Sequence, residues 1–442
     1  MSHYIPKNKK DEKDILDLLD IDSFEDLVSI IPPKLRVKDG ILGLDSGISE
    51  YELTSYIESI SKNVAVNDTS CFSGGGVYDH FVPKVIDFIS SRSEFSTAYT
   101  PYQPEVSQGT LQYIYEFQSM ICELSGMDIA NASLYDGASA LAEACSLSIS
   151  HTRCRRVLIS GMVNPHYIDV VRTYLKYRDA DIEILPVKDG ITDFEKVKTM
   201  NMDDVACIVI QSPNYYGYIE SWKQFSTIIE NSKALLVAAS DPISLSILES
   251  PGDANADIYI GEGQCLGNHL SYGGPNLGLF SIKDKLKRKL PGRVVGMTKD
   301  IDEKDGFVLT LQTREQHIRR SKATSNICTN QGLLALRAVV YMSLLGKEGM
   351  PKLAKICFNK AQYAADRISS IKGFKLFSQK RNFIKEFTVE TKFDAKKLCE
   401  DAEKNGYLFD LIDTNLVKFA FTEKRSKSQI DELVEFLSSY NG

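Results

Sequence analysis

Between residues 156 and 282, short apolar, β-branched runs recur at intervals of roughly 20–30 residues, with helical patterns in the gaps. The runs cover 156–160, 182–187, 205–211, 234–240, 257–260 and 277–282, and the helical gaps include 166–178 and 222–231. Strands alternating with helices in this way build an α/β fold around a doubly wound, mostly parallel sheet covered on both faces. In such sheets the loops at the carboxyl ends of the strands carry the chemistry.

The flanks fit around this sheet. Leu111, Ile114, Phe117, Ile121 and Leu124 share one stripe of a helix predicted over 108–125. A helical run over 330–345 precedes a tail of alternating strand and helix patterns at 374–377, 384–391, 395–403, 417–421 and 429–438, which predicts a small α+β domain. At the front, 14–19, 23–28 and 49–53 each open with a capping-type residue and carry apolar spacing, and Pro32-Pro33 separates them. The expected organisation is a helical arm over 1–65, a large α/β domain over 66–325, and a linking helix with the small domain over 326–442.

Composition excludes several classes. The 442 residues are 43% apolar and 25% charged, with signs mixed along the chain and a net charge of −7. That is a soluble globular composition without the clustered basic footprint of a nucleic-acid binder; only 314–322 approaches one. The nine cysteines are scattered and form no C-x-x-C pair, so neither a zinc site nor a redox motif is expected. The charged start of the chain lacks the apolar core of a signal peptide, and no apolar run approaches a membrane span. A reduced, cytoplasmic protein is expected.

Three segments are rich in Gly, Pro, Tyr and uncharged polar residues. From composition alone, Ser73-Gly-Gly-Gly-Val-Tyr-Asp-His80 reads as a plain surface turn, although its glycines would also allow close packing on a ligand or another chain. In the 98–109 segment two prolines fix an extended path, so Tyr99, Tyr102, Gln103 and Glu105 form a stiff array suited to a binding wall. The small-residue turn at 131–140 opens a helix and could hold an anion on its free N–H groups. Asp136 stands at its N-cap position, however, where it would use those donors and repel a phosphate.

Strand-end residues complete the set. Asn214-Tyr215-Tyr216-Gly217 follows the 205–211 strand and reads as a tight turn filled by aromatics, or else as part of a pocket wall. Asp241 stands where it can cap a helix beginning at Pro242. Gln264 lies in the loop after 257–260, ahead of Gly273-Gly274-Pro275. A lysine there could condense with an aldehyde cofactor, and a glutamine amide cannot.

Together, SGGGVYDHFVP, FSTAYTPYQPEVSQG, ANASLYDGASALAEA, VIQSPNYYGYIES, GEGQCLGNHLSYGGP, LPGRVVGMTKD and TLQTREQHIRRSKATSNICTNQ resemble the glycine decarboxylase P-protein in its first-subunit form. The resemblance spans about residues 71–331 and implies a fold-type I, aminotransferase-like, pyridoxal-phosphate fold. It also implies a homologous second subunit that carries the cofactor lysine, with Gln264 as that lysine's counterpart here, so that no cofactor is expected covalently on this chain.

The implied reaction decarboxylates glycine and passes the aminomethyl group to the lipoyl arm of a carrier, the H-protein. With the active site at the subunit interface, Tyr99, Thr100, Tyr102, Gln103 and Glu105 are the expected shared wall. Arg314, Arg319, Arg320 and Asn326, with His317 and Lys322 nearby, are the expected contacts to an anion or to the carrier; the bland reading of that cluster is a solvated helical face with Glu315 pairing locally. Two other functions stay open: a scaffold that stabilises the cofactor subunit and recruits the carrier, and a self-sufficient enzyme using Lys233, Lys283 or Lys285.

Overall fold

The computed structural model describes residues 8–36, 47–62, 69–96 and 99–442, and the chain divides into two compact units, 1–66 and 67–442. In the first unit, Lys9–Leu19 is a helix whose capping box joins Asn8 and Asp11. Phe24–Leu27 is capped by Ser23, and Glu50–Lys62 forms a third helix. None of the three buries a residue.

The second unit is built on a seven-stranded sheet in the order Ile129–Ala130, Gly278–Ile282, Ile258–Glu262, Leu235–Ala239, Val205–Gln211, Arg156–Ser160 and Asp181–Leu185. Period-two alternation sorts each strand's side chains onto two faces. Leu158, Ile208, Ile210 and Leu236 join a core with Phe117 and Ile121 of the Gln108–Ser125 helix and with Trp222 and Phe225. Val157, Ile159, Val209 and Val237 point the other way, onto Leu141, Ala144 and Cys145 of the Gly137–Thr152 helix. That second helix is nearly all small or apolar because both its sides are covered. Each fully buried Leu, Ile or Val removes about 1.5–3 kcal/mol worth of apolar surface from water.

One strand departs from the parallel pattern. Gly278–Ile282 runs antiparallel to Ile258–Glu262, with Gly278 opposite Glu262 and Ile282 opposite Ile258. The 263–277 segment contains no helix to carry a crossover, so the chain returns along its neighbour instead. Lys283 and Lys285 therefore lie at the amino ends of the parallel strands, where Lys285 pairs with Asp257 at 2.6 Å.

The tail forms a four-stranded antiparallel sheet in the order Phe374–Leu376, Glu386–Thr391, Leu416–Ala420, Asp410–Asp413. Helices Ala395–Lys404 and Lys427–Ser439 pack on it. The helical run expected to stop near 345 continues as Gly332–Ser369, broken only at Gly346 (φ 59°, ψ −170°). Gly346 and Pro351 read as a stop in sequence; in the fold Gly346 takes the kink, and Pro351 lies in the first turns of the second half. Among the described residues no helix is long and apolar enough to cross a membrane.

Candidate functional site

At the carboxyl ends of the strands, Gln264 is 1% exposed and fully engaged. Its Nε2 donates to the Asn268 carbonyl at 2.8 Å, and its Oε1 accepts from the Tyr78 backbone N–H at 2.9 Å. The second bond ties the 73–80 segment to the strand end. That segment is not the surface turn its composition suggests: Gly74 N–H donates to Asp410, Gly75 N–H to Glu386, and the Tyr78 hydroxyl to Glu386 at 2.8 Å. A Cβ on Gly74 would lie 2.4 Å from Glu386 Oε2, so the glycine is required by close approach.

Asp241 caps its helix as expected, accepting from the Ser244 N–H at 2.9 Å and hydroxyl at 2.6 Å. Its other oxygen accepts from Lys385 Nζ at 2.8 Å, with both side chains almost wholly buried. Lys385 Nζ also lies 3.6 Å from the centre of the Tyr78 ring and 3.2 Å from His80 Nε2, while His80 Nδ1 meets Glu423 at 2.6 Å. Burial opposes the Lys385 charge more than any single neighbour favours it, yet the surrounding groups together, Asp241 first among them, hold the ammonium above its ordinary pKa. Burial likewise opposes the Asp241 charge, and Lys385 brings that carboxyl below its usual range. Burial and the Lys385 charge push His80 down, so it sits neutral between the ammonium and Glu423. Cys357 brings its sulfur within 4.8 Å of the His80 and Glu423 donor atoms, but both ring nitrogens of His80 are already engaged.

The turn at the start of the Gly137–Thr152 helix is also used internally. Asp136 accepts from Ser139 N–H at 2.6 Å, and Glu262 Oε2 accepts from Gly137 N–H at 2.9 Å. Glu262 Oε1 takes the N–H groups of Gln264 and Leu277. Burial nevertheless pushes the Glu262 carboxyl up to about 8. What remains among Tyr78, Tyr167, Asp241, Glu262 and Lys385 is a cavity of about 20 Å³, room for one water. These residues do not fit a pyridoxal phosphate: no amine stands at 264, the anion turn is spent, and Asp241 is already paired with Lys385.

The 214–217 segment is a tight turn. Asn214 Oδ1 accepts from the N–H groups of Tyr216 and Tyr218, and Tyr216 stacks on Phe377 at 5.3 Å. A Cβ on Gly217 would lie 2.2 Å from the Glu386 carbonyl.

The tyrosine segment stands in the open. Tyr99 is 87% and Tyr102 54% exposed, with Gln103 and Glu105 also exposed and Thr100 half-buried; Ala98 lies outside the described residues. Arg293 Nη2 donates to the Tyr102 hydroxyl at 3.4 Å, and the His317 ring lies 6.0 Å from the Tyr102 ring. Arg293 is 2% exposed, and its Nε has no hydrogen-bond partner. The structure thus joins two motifs the sequence left separate.

It also divides the basic cluster. His317 faces the tyrosine segment, whereas Arg314 and Arg319 line a separate hollow with Lys322. Arg320 and Asn326 are exposed and line neither. The solvated-face reading holds in part: His317, Arg319, Arg320 and Lys322 are exposed and Glu315 pairs locally, 3.8 Å from His317 Nδ1, but Glu315 itself is buried and the α-helix covers only Gln316–Arg319.

Lys385, Glu262, Glu386, Lys418 and Arg293 escaped the sequence reading. Lys418 is fully buried between Glu386 (3.7 Å) and Asp410 (3.6 Å), yet in sequence it and Lys385 look like the polar positions of half-exposed strands. Glu262 and Arg293 lie inside quoted motifs, which was the available signal.

Residues 2–437 match the family described as glycine cleavage system P-protein. The chain is 47% identical over 440 residues to the probable glycine dehydrogenase (decarboxylating) subunit 1 of Chloroherpeton thalassium, covering 98% of this chain and 99% of the relative. It is 44% identical to the protein of the same description from Anoxybacillus flavithermus, with 100% of both chains covered. A crystal structure of glycine decarboxylase (P-protein) in inhibitor-bound form superposes with a TM-score of 0.90 at 36% identity, covering 99% of each chain. A sphingosine-1-phosphate lyase from Burkholderia pseudomallei, at 14% identity and a TM-score of 0.67 over 92% of this chain and 93% of the lyase, shares the fold alone. The chain has the fold-type I architecture, and it belongs to the glycine cleavage system P-protein family.

Proposed function

We propose that this chain is subunit 1 of a two-chain glycine dehydrogenase (decarboxylating) that takes its pyridoxal phosphate on a homologous second subunit and contributes an active-site wall rather than a cofactor. The observation that carries this reading is the Asp241–Lys385 pair beside Gln264, in a cleft with room for one water. On this reading the exposed 99–105 segment, backed by Arg293 and His317, faces the partner's cleft. Tyr102, Gln103 and Glu105 supply hydrogen-bonding tips, Thr100 and Tyr99 complete the wall, and glycine is the substrate held there. The aminomethyl product passes to a lipoylated H-protein, with Arg320 and Asn326 as exposed contacts for the carrier. We assign the arm to 1–65, the large domain to 66–325 and the small domain to 326–442, in a cytoplasmic complex.

The test is glycine-dependent exchange of carbon dioxide, measured for each subunit and for the mixture. Exchange should appear in the mixture alone. Tyr102→Phe and Glu105→Gln should lower it by at least tenfold while the two chains still co-elute. Full exchange in both variants would remove the wall assignment.

A further inference from the structure

A second hollow, of about 400 Å³, opens at the opposite edge of the sheet. Its walls come from Ser150 near the end of the Gly137–Thr152 helix, Arg178 beyond the Pro165–Leu175 helix, the Asp284–Lys289 turn after the antiparallel strand, and the 314–324 segment. These places lie at the amino ends of the parallel strands, since the Gly137–Thr152 helix begins beside Glu262 and runs back, and Gly278–Ile282 runs the same way.

Six cations line the hollow: Arg178, Arg288, Lys289, Arg314, Arg319 and Lys322. Among the described residues, none of them forms an ion pair with a carboxylate. Arg314 donates one nitrogen to the Leu290 carbonyl, but its Nε and Nη2 are buried without partners. Burial pushes its pKa down to about 10. Lys289 Nζ is held by the Ser150 hydroxyl at 2.9 Å. Glu143 feels the Arg178 charge, yet burial pushes its carboxyl up to about 7, so it offsets little of the positive charge. Glu315 acts on the Arg314 charge from outside the lining, so in a chain of net charge −7 every charged group that lines the hollow is a cation.

We propose that the hollow binds a phosphate-bearing small molecule. Guanidinium forks match phosphate oxygens in pairs of hydrogen bonds, and the Ser150 and Thr324 hydroxyls add neutral donors. The donors converge from four chain segments onto a concave space of small-molecule size, whereas an acidic protein would call for a broader, flatter face.

The two-subunit complex is titrated by calorimetry with sodium tripolyphosphate and with orthophosphate, at ionic strength held constant with potassium chloride. Saturable binding of one anion per chain is expected, tighter for tripolyphosphate. It should weaken at least tenfold in Arg314→Met and in Arg319→Gln/Lys322→Gln, and stay unchanged in Lys352→Gln/Lys355→Gln, where surface lysines elsewhere are lost. If Arg314→Met fails to fold, the double variant at exposed positions decides. Absence of saturable binding, or binding that survives in the double variant, overturns the proposal. So does a double variant that loses affinity for an acidic protein while neither phosphate binds the wild-type complex.

Discussion

At the carboxyl ends of the central strands the buried polar groups are partnered: Asp241 with Lys385, the neutral His80 with Glu423, Lys418 between Glu386 and Asp410. At the amino ends six cations share a hollow with no carboxylate among them, and two nitrogens of Arg314 stay unbonded. One sheet therefore has a closed end and an open one. The closed end is where this fold places ligands, and here it has become a structural core that gains rigidity by filling itself. The open end carries the unspent hydrogen-bonding capacity. Strand-end position alone does not locate a binding site; whether the polar atoms there are satisfied does.

The comparison breaks most readily at the buried pair. Lys385→Met leaves Asp241 as an uncompensated buried carboxylate and should cost about 3–5 kcal/mol in urea unfolding. The double variant Lys385→Met/Asp241→Asn keeps the helix cap without the charge and should recover much of that loss. Additive losses would mean the two groups are not coupled.

Glu262 gives a pH-dependent test of the same end. Its native pKa of about 8 lies above the ordinary carboxyl value, so the folded chain holds a proton that the unfolded chain has already released. The stability from this group is present at low pH and falls as pH rises from about 4.5 to 8. Thermal unfolding of Glu262→Gln should be less steep across that window than the wild type, and parallel profiles would contradict the assignment.

The smallest effect is expected at the open end. Arg319→Gln and Lys322→Gln remove exposed, mutually repelling charges and should change stability by no more than about 0.5 kcal/mol, with any shift toward greater stability at low salt. A large loss in either would show that the hollow is held together by bonds within the chain.

Much of this fold was legible in sequence because its strands are buried on both faces. The 205–211 strand and the 108–125 helix are bounded as read, since a core-facing apolar pattern ends where burial ends. The antiparallel turn of Gly278–Ile282 was not legible, because strand direction depends on connection length and packing rather than on the strand's own residues. The long helix was cut short because Gly346 and Pro351 carry a stop signal that tertiary packing overrides. In the site, local chemistry was readable and distant chemistry was not. Asp136 and Asp241 cap the helices that follow them, a relation within a few residues. Lys385 reaches Asp241 across 144 residues, and nothing near Lys385 marks it as buried. Gln264 pointed to the missing amine; the lysine that fills the space came from the other end of the chain.

The account rests on the carboxyl-end cleft being closed to the cofactor. The direct measurement is borohydride reduction of the two-subunit complex saturated with pyridoxal phosphate, followed by mass spectrometry of peptides from both chains. The pyridoxyl group should appear on a lysine of the partner alone, with the peptide containing Lys385 unmodified. A pyridoxyl group on Lys385, or stoichiometric labelling at any lysine of this chain, would contradict it.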